Sequence, residues 1–339
     1  GLLMPSVHCE VPMLDKRYSF LLTLGITIAL SFLFPLGGQC MSDSLPWLQT
    51  ALIMAMYFGL GLNTEFSALL GGLSQWRLHV FVQSSLFVVA PLVSYSLFKV
   101  LSRGIGSENS IGLLFVGCLP TTITSCIVLT KQSHGNSVGA IYNATLSQIL
   151  GVFATPLLLS FFLHTEVQGT APLGSVVLSL AQKILLPLAF GQVVRVSLKR
   201  VVRLLGKIPD LVTFYAIFVI LYMNLSQVLG TKYFSVGFGL LVYSGIAAVV
   251  LFILLLVLSW TMSGLLGFNR EDRIASTYTG TQKTLGMGVP LAAIFFAGNP
   301  ELVSKATIII IVYYISSLFL SFLLVEKLVK KRYASVEYV

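Results

Sequence analysis

Acidic charge is scarce in this chain of 339 residues. Twelve Asp and Glu stand against 21 Lys and Arg, and charged residues make up 10% of the whole. A soluble domain carries about 25%. With 56% hydrophobic residues, a soluble fold is excluded and a polytopic membrane protein is implied. The few acids, among them Glu65, Asp210, Glu271, Asp272 and Glu326, fall at the ends of apolar runs, and none lies at mid-depth. The four cysteines, Cys9, Cys40, Cys118 and Cys126, show no CxxC and no disulfide framework, so they read as small apolar filler. The four histidines have no HExxH spacing, and no GxSxG is present. Neither a metalloprotease nor a serine hydrolase is indicated, and no enzyme is expected. Residues 1–14 show no cleavable leader.

What is abundant is apolar sequence in runs long enough to span a bilayer, which takes roughly 20 residues each. Such runs fall at 18–36, 46–62, 79–101, 110–131, 137–163, 174–195, 209–229, 236–266, 272–297 and 304–326. They predict an all-α protein of ten transmembrane helices. The net charge of +9 sorts by side. Lys16, Arg17, Arg77, Lys131, Arg195, Lys199, Arg200, Arg203, Lys207, Arg270, Arg273, Lys327, Lys330, Lys331 and Arg332 share the side of the termini. Lys99, Arg103, Lys232 and Lys305 lie opposite. The positive-inside rule then puts both termini in the cytoplasm. The basic balance is topology and implies no nucleic-acid partner; the membrane is bacterial inner or eukaryotic plasma or secretory.

The loop 164–173 carries no Lys or Arg, and dividing there gives two halves of five spans, 18–163 and 174–326. They are flanked by a tail at 1–17 and a basic tail at 327–339. Five is odd, so the halves enter the membrane with opposite orientation, the inverted-repeat plan of secondary transporters. FPLGGQ at 34–39 and LPLAFGQ at 186–192 echo one another faintly. The fourth span of each half is irregular: VGCLPTTITSCIVLTK at 116–131 and TYTGTQKTLGMGVPLA at 277–292. Pro120 lacks a backbone donor, and Gly280, Gly286, Gly288 and Pro290 weaken the second. Freed backbone groups survive in a membrane only around a polar cavity, and half-helix N-termini attract anions. Matched interruptions point to a binding site there.

Two lysines lie at depth, Lys183 in SLAQKILLP and Lys283 in TGTQKTL. A buried charge costs about 2.5–3.5 kcal/mol even on the lenient scale. Lys183 can snorkel. Lys283 sits among Thr279, Thr281, Gln282 and Thr284, which is a place to solvate an ammonium. Gln83, Asn143 and Gln148 are further polar groups at depth, able to face span four or simply to bond a neighbouring helix.

The stretches VGCLPTTITSCIVLTK, GNSVGAIYNATLSQILGVFATPLLL (135–159) and TGTQKTLGMGVPLAAIFFAG (279–298) resemble the bile acid:sodium symporter family, solute carrier family 10, near the branch of its seventh human member. The resemblance runs over about 16–328. It implies a panel of spans 1, 2, 6 and 7, and a core of spans 3–5 and 8–10 in which broken spans four and nine cross. It also implies transport of an organic anion by alternating access.

The family's sodium ligands carry over in part. Its Ser-Asn pair after the break reads Ser125 and Cys126, and its span-five hydroxyls read Ala140 and Ala144. Its bridging glutamate reads Tyr278, and its Gln-Asn pair reads Gln282 and Lys283. Two sodium ions beside an ammonium and without a carboxylate would repel. The Lys283 ammonium is therefore expected to replace a bound cation, held by freed carbonyls and by Ser125, Asn143, Thr281 and Gln282, with Gln83 nearby. It is either permanently charged, giving a cation-independent carrier, or able to load and release a proton. Substrate-binding candidates are Lys283, Thr124, Ser125, Asn143 and Thr284. No cofactor and no metal site are assigned, although sodium at a single altered site stays open, as does the oligomeric state. The rival reading is a membrane regulator or scaffold that transports nothing, for example in calcium homeostasis.

Overall fold

A computed structural model describes residues 14–63, 75–166, 178–179, 181–198, 202, 204–229, 237–296 and 299–336. The N-terminal tail up to Met13 and the loop 167–177 lie outside the described residues, as do the side chains of the C-terminal tail.

The described chain is helical: α1 (Leu14–Leu33), α2 (Pro35–Ser44), α3 (Pro46–Asn63), α4 (Trp76–Ser84), α5 (Ala90–Ile105), α6 (Ser107–Cys118), α7 (Ile123–Gln132), α8 (Ser137–Glu166), α9 (Leu186–Ser197), α10 (Ile208–Leu229), α11 (Gly237–Leu265), α12 (Arg270–Thr281), α13 (Leu285–Phe295) and α14 (Pro300–Val336). Five helical stretches are long and apolar enough to cross a membrane: Trp76–Gly104, Ser137–Leu163, Ile208–Ser226, Val242–Leu265 and Glu301–Val325. The pair Leu22–Leu33 and Pro35–Ser44 qualifies together but bends by 89°. The sequence reading drew one run there, over 18–36. Pro35 at the first position of α2 explains the bend, since proline starts helices well and cannot continue one. Two π-helical turns, Ser85–Val89 and Ala181–Leu185, each precede a proline by two residues, Pro91 and Pro187. A wider turn absorbs the donor that proline lacks.

The helices pack as two sets. In one, α10 lies against α1, α2 and α3, and α9 lies against α3. In the other, α6 packs on α5, α8 and α14, while α12 packs on α7, α8 and α11. The sets meet where α10 packs against α13 and α14. Within the first set two small contacts recur. Gln39 Nε2 donates to Ser226 O at 3.3 Å near the end of α10, with Gly38 set against Ser226. Gln192 Nε2 donates to Gly61 O near the end of α3, and Gly191 leaves room for the Phe58 carbonyl, which a Cβ would strike. In each case glycine permits the close crossing and glutamine takes a carbonyl that the helix end leaves free.

Candidate functional site

The interruptions expected in spans four and nine are present, and they cross. Between α6 and α7, residues 119–122 are non-helical, and between α12 and α13 so are residues 282–284. The first break follows from Pro120, whose ring cannot donate and excludes helical backbone at Leu119; Leu119 is extended, with φ −74° and ψ 145°. The second break departs from the sequence reading. Gly280 is inside α12, and Gly286, Gly288 and Pro290 are inside α13. The glycines serve packing: a Cβ on Gly288 would stand 2.7 Å from Leu119 Cδ1, and one on Gly286 would stand 3.1 Å from Ile217 Cδ1.

At the crossing the two extended arms pair as antiparallel backbone, Thr121 opposite Lys283. Thr122 N–H donates to Gln282 O at 3.2 Å, and Thr284 N–H donates to Pro120 O at 3.1 Å. The Thr122 hydroxyl adds a bond to Lys283 O at 3.2 Å. Each arm thus supplies the partners that lipid cannot.

The carbonyls freed at the end of α6 are all engaged. Lys283 Nζ donates to Gly117 O at 3.3 Å and to Leu119 O at 2.9 Å. Between them, Cys118 O accepts from the Thr155 hydroxyl of α8 at 2.8 Å. Pro120 O takes the Thr284 N–H, and Thr121 O takes Gln148 Nε2. On the other arm, Thr281 O accepts from the Tyr313 hydroxyl of α14 at 2.7 Å. A buried acceptor left unpaired costs roughly 1–3 kcal/mol, so this row of donors keeps the break tolerable.

Lys283 is only 2% exposed, and its described partners are carbonyls, not carboxylates. Two peptide dipoles aimed at the Nζ supply the electrostatics that a positive charge buried there would need. The four side chains expected around it are engaged elsewhere or not recorded on it. Thr281 Oγ1 donates to Thr277 O at 2.8 Å. Gln282 Nε2 donates to Ser321 Oγ at 2.9 Å and Ser317 O at 3.4 Å on α14. Asn143 Nδ2 donates to Gly139 O at 2.9 Å, and Gln83 Nε2 reaches Asn143 O at 3.1 Å and Oδ1 at 3.3 Å. Ser125 is buried in the first turn of α7. Gln83 and Asn143 are thus brought together, away from the ammonium's bonds. Lys183 is half-buried in the π-turn before α9.

Neither α7 nor α13 has a side-chain cap; their N-cap residues are Thr122 and Thr284. Thr124 in the first turn of α7 is exposed, whereas Thr284 is 8% exposed. Tyr278, where the resemblance aligns a glutamate, is 1% exposed, and its hydroxyl accepts from Ser133 Oγ at 3.0 Å. Ala140 and Ala144 are fully buried. Thr155, Tyr313, Ser317 and Ser321 were not singled out from the sequence. Hydroxyls on the helices after each break were the available signal.

Comparisons with known proteins find relatives over most of the chain. The SBF-like CPA transporter family matches residues 18–330. An uncharacterised Pseudomonas aeruginosa protein is 32% identical over 283 residues, covering 82% of this chain and 84% of that one. Mouse sodium/bile acid cotransporter 7 is 28% identical over 276 residues, covering 80% of each. The Xenopus tropicalis protein of the same name is 28% identical over 279 residues, again 80% of each. An all-helical membrane protein matched over nearly its whole length in this way belongs to the SBF-like CPA transporter family, the bile acid:sodium symporter relatives that its motifs resemble.

Proposed function

We propose that the chain is a secondary transporter that moves a small organic anion by alternating access, with the Lys283 ammonium in place of one or both mobile cations. The observation that carries this is the pair of bonds from Lys283 Nζ to Gly117 O and Leu119 O. Freed carbonyls of a broken span are the groups that hold coupling ions in such carriers. Here a tethered cation occupies them, and the intervening Cys118 O is taken by Thr155. The phenol of Tyr278, bonded to Ser133, brings no negative charge to balance further cations. The name sodium/bile acid cotransporter, carried by the mouse relative, supports an anionic cargo.

In this reading α1–α3, α9 and α10 are the panel, and the remaining helices are the core that moves against it. Two inverted repeats of five spans underlie both. The Gly38–Gln39 contact with α10 and the Gly191–Gln192 contact with α3 support that symmetry. The solute meets the crossing at the exposed first turn of α7, beside Thr124. Lys283, committed to carbonyls and 2% exposed, sets the local potential rather than touching the cargo. Both termini are cytoplasmic by the distribution of Lys and Arg.

The test is counterflow in proteoliposomes over a panel of organic anions, in sodium and in choline. Uptake equal in both salts and lost in Lys283→Ala is the expected result. A steep sodium-dependent rise in thermal midpoint that Lys283→Asn leaves unchanged would rule out the replacement of a cation. Inertness toward every anion would favour a regulator.

A further inference from the structure

The two helix sets meet along α10, and the contact has direction. Ile217 of α10 lies against Gly286, next to the crossing. Seven residues on, about 10 Å along the helix, the backbone carbonyl of Asn224 accepts a hydrogen bond from Ser304 Oγ of α14 at 3.3 Å. From the crossing to the end of the bundle where α10 finishes and α14 begins, the interface is therefore packed. That end is opposite the start of α1, because Tyr222 OH of α10 donates to Phe34 O just after α1. On the other side of the crossing, the first turn of α7 is exposed at Thr124 and 37% exposed at Ile123.

The packed end contains an uneven polar cluster. Asn224 is 3% exposed, and its Oδ1 accepts from Gln49 Nε2 of α3 at 3.0 Å. Its Nδ2 has no partner among the described residues. Buried polar groups without partners are rare and costly. Water would return that cost if the interface parted. A long hydrogen bond holds the two sets together while one orphaned donor beside it favours separation, which is the balance a two-state element needs.

We propose that Ser304 and Asn224 form a clasp that closes this end of the transport path, and that Asn224 Nδ2 becomes hydrated when it opens. The clasp rests on the reading of alternating access given above. Ser304 and Asn224 hold one conformation and do not contact the cargo.

The test uses the full chain in liposomes, with Cys9→Ser and Cys40→Ser so that the buried Cys118 and Cys126 are the native thiols left. Ile217→Cys reports access from the clasped end to a membrane-impermeant maleimide. Ser304→Ala should raise its labelling rate about five-fold, the shift expected from one hydrogen bond, and Ser304→Thr should restore it. An Asn224→Cys, Ser304→Cys pair bridged by a short bifunctional methanethiosulfonate should reduce labelling to background. It should also stop counterflow of the anion panel until dithiothreitol is added. Counterflow at full rate with the bridge formed, or labelling indifferent to the bridge, overturns the clasp while leaving transport intact. Labelling that follows Ser304 in a protein inert to every anion keeps the clasp and removes the transporter reading.

Discussion

The two arms of the crossing are alike in outline and opposite in chemistry. The first, 119–122, is broken by its own sequence: Pro120 forbids the helix, and the arm presents a run of acceptors. The second, 282–284, contains neither proline nor glycine, and it presents the donor, Lys283 Nζ. One arm is unwound by covalent structure, and the other is held unwound by what it bonds to. An interruption therefore needs no helix breaker when the partner strand supplies enough hydrogen bonds to replace a helical turn.

That contrast can be broken most severely at Lys283. Lys283→Met leaves two buried carbonyls unpaired and should destabilise by about 2–4 kcal/mol, read as a lowered thermal midpoint in detergent, together with lost counterflow. A variant as stable as the parent would show that the second arm holds itself open. The next effect is at Gly151, where a Cβ would stand 2.7 Å from Pro120 Cγ. Gly151→Ala should cost about 2 kcal/mol by crowding the first arm, and Pro120→Gly, which removes Cβ as well as the ring, should relieve most of it in a double-mutant cycle. Additive effects would place the strain elsewhere. The smallest effects compare the two hydroxyl caps. Thr155→Val removes the partner of Cys118 O, and Tyr313→Phe removes that of Thr281 O. Each should cost about 1 kcal/mol. If the loss from Tyr313→Phe equals or exceeds that from Lys283→Met, the lysine is not the principal support.

Much of this was readable in the residues. Pro120 and the hydroxyls around Lys283 marked the interruptions, because a membrane tolerates unpaired backbone only at special places. The position of the second break was not readable. Gly286 and Gly288 look like helix breakers in one dimension, yet they are spacers against Ile217 and Leu119, and only the tertiary arrangement separates the two uses. Lysine's carbonyl partners were anticipated in kind. The expected ring of Ser125, Asn143, Thr281 and Gln282 was not where those side chains bond, since Thr281 turns back to its own helix and Gln282 to α14. The right-angle bend at Phe34 was missed because one proline in an apolar run looks like an ordinary helix terminus.

The antiparallel rung between Thr121 and Lys283 has a mechanical consequence. With backbone bonds running both ways between the arms, four half-helices are tied at one knot and cannot swivel independently. Strain applied to any of them is shared by all, much as a riveted truss carries load. Any shape change that leaves this rung intact has to move the four half-helices together.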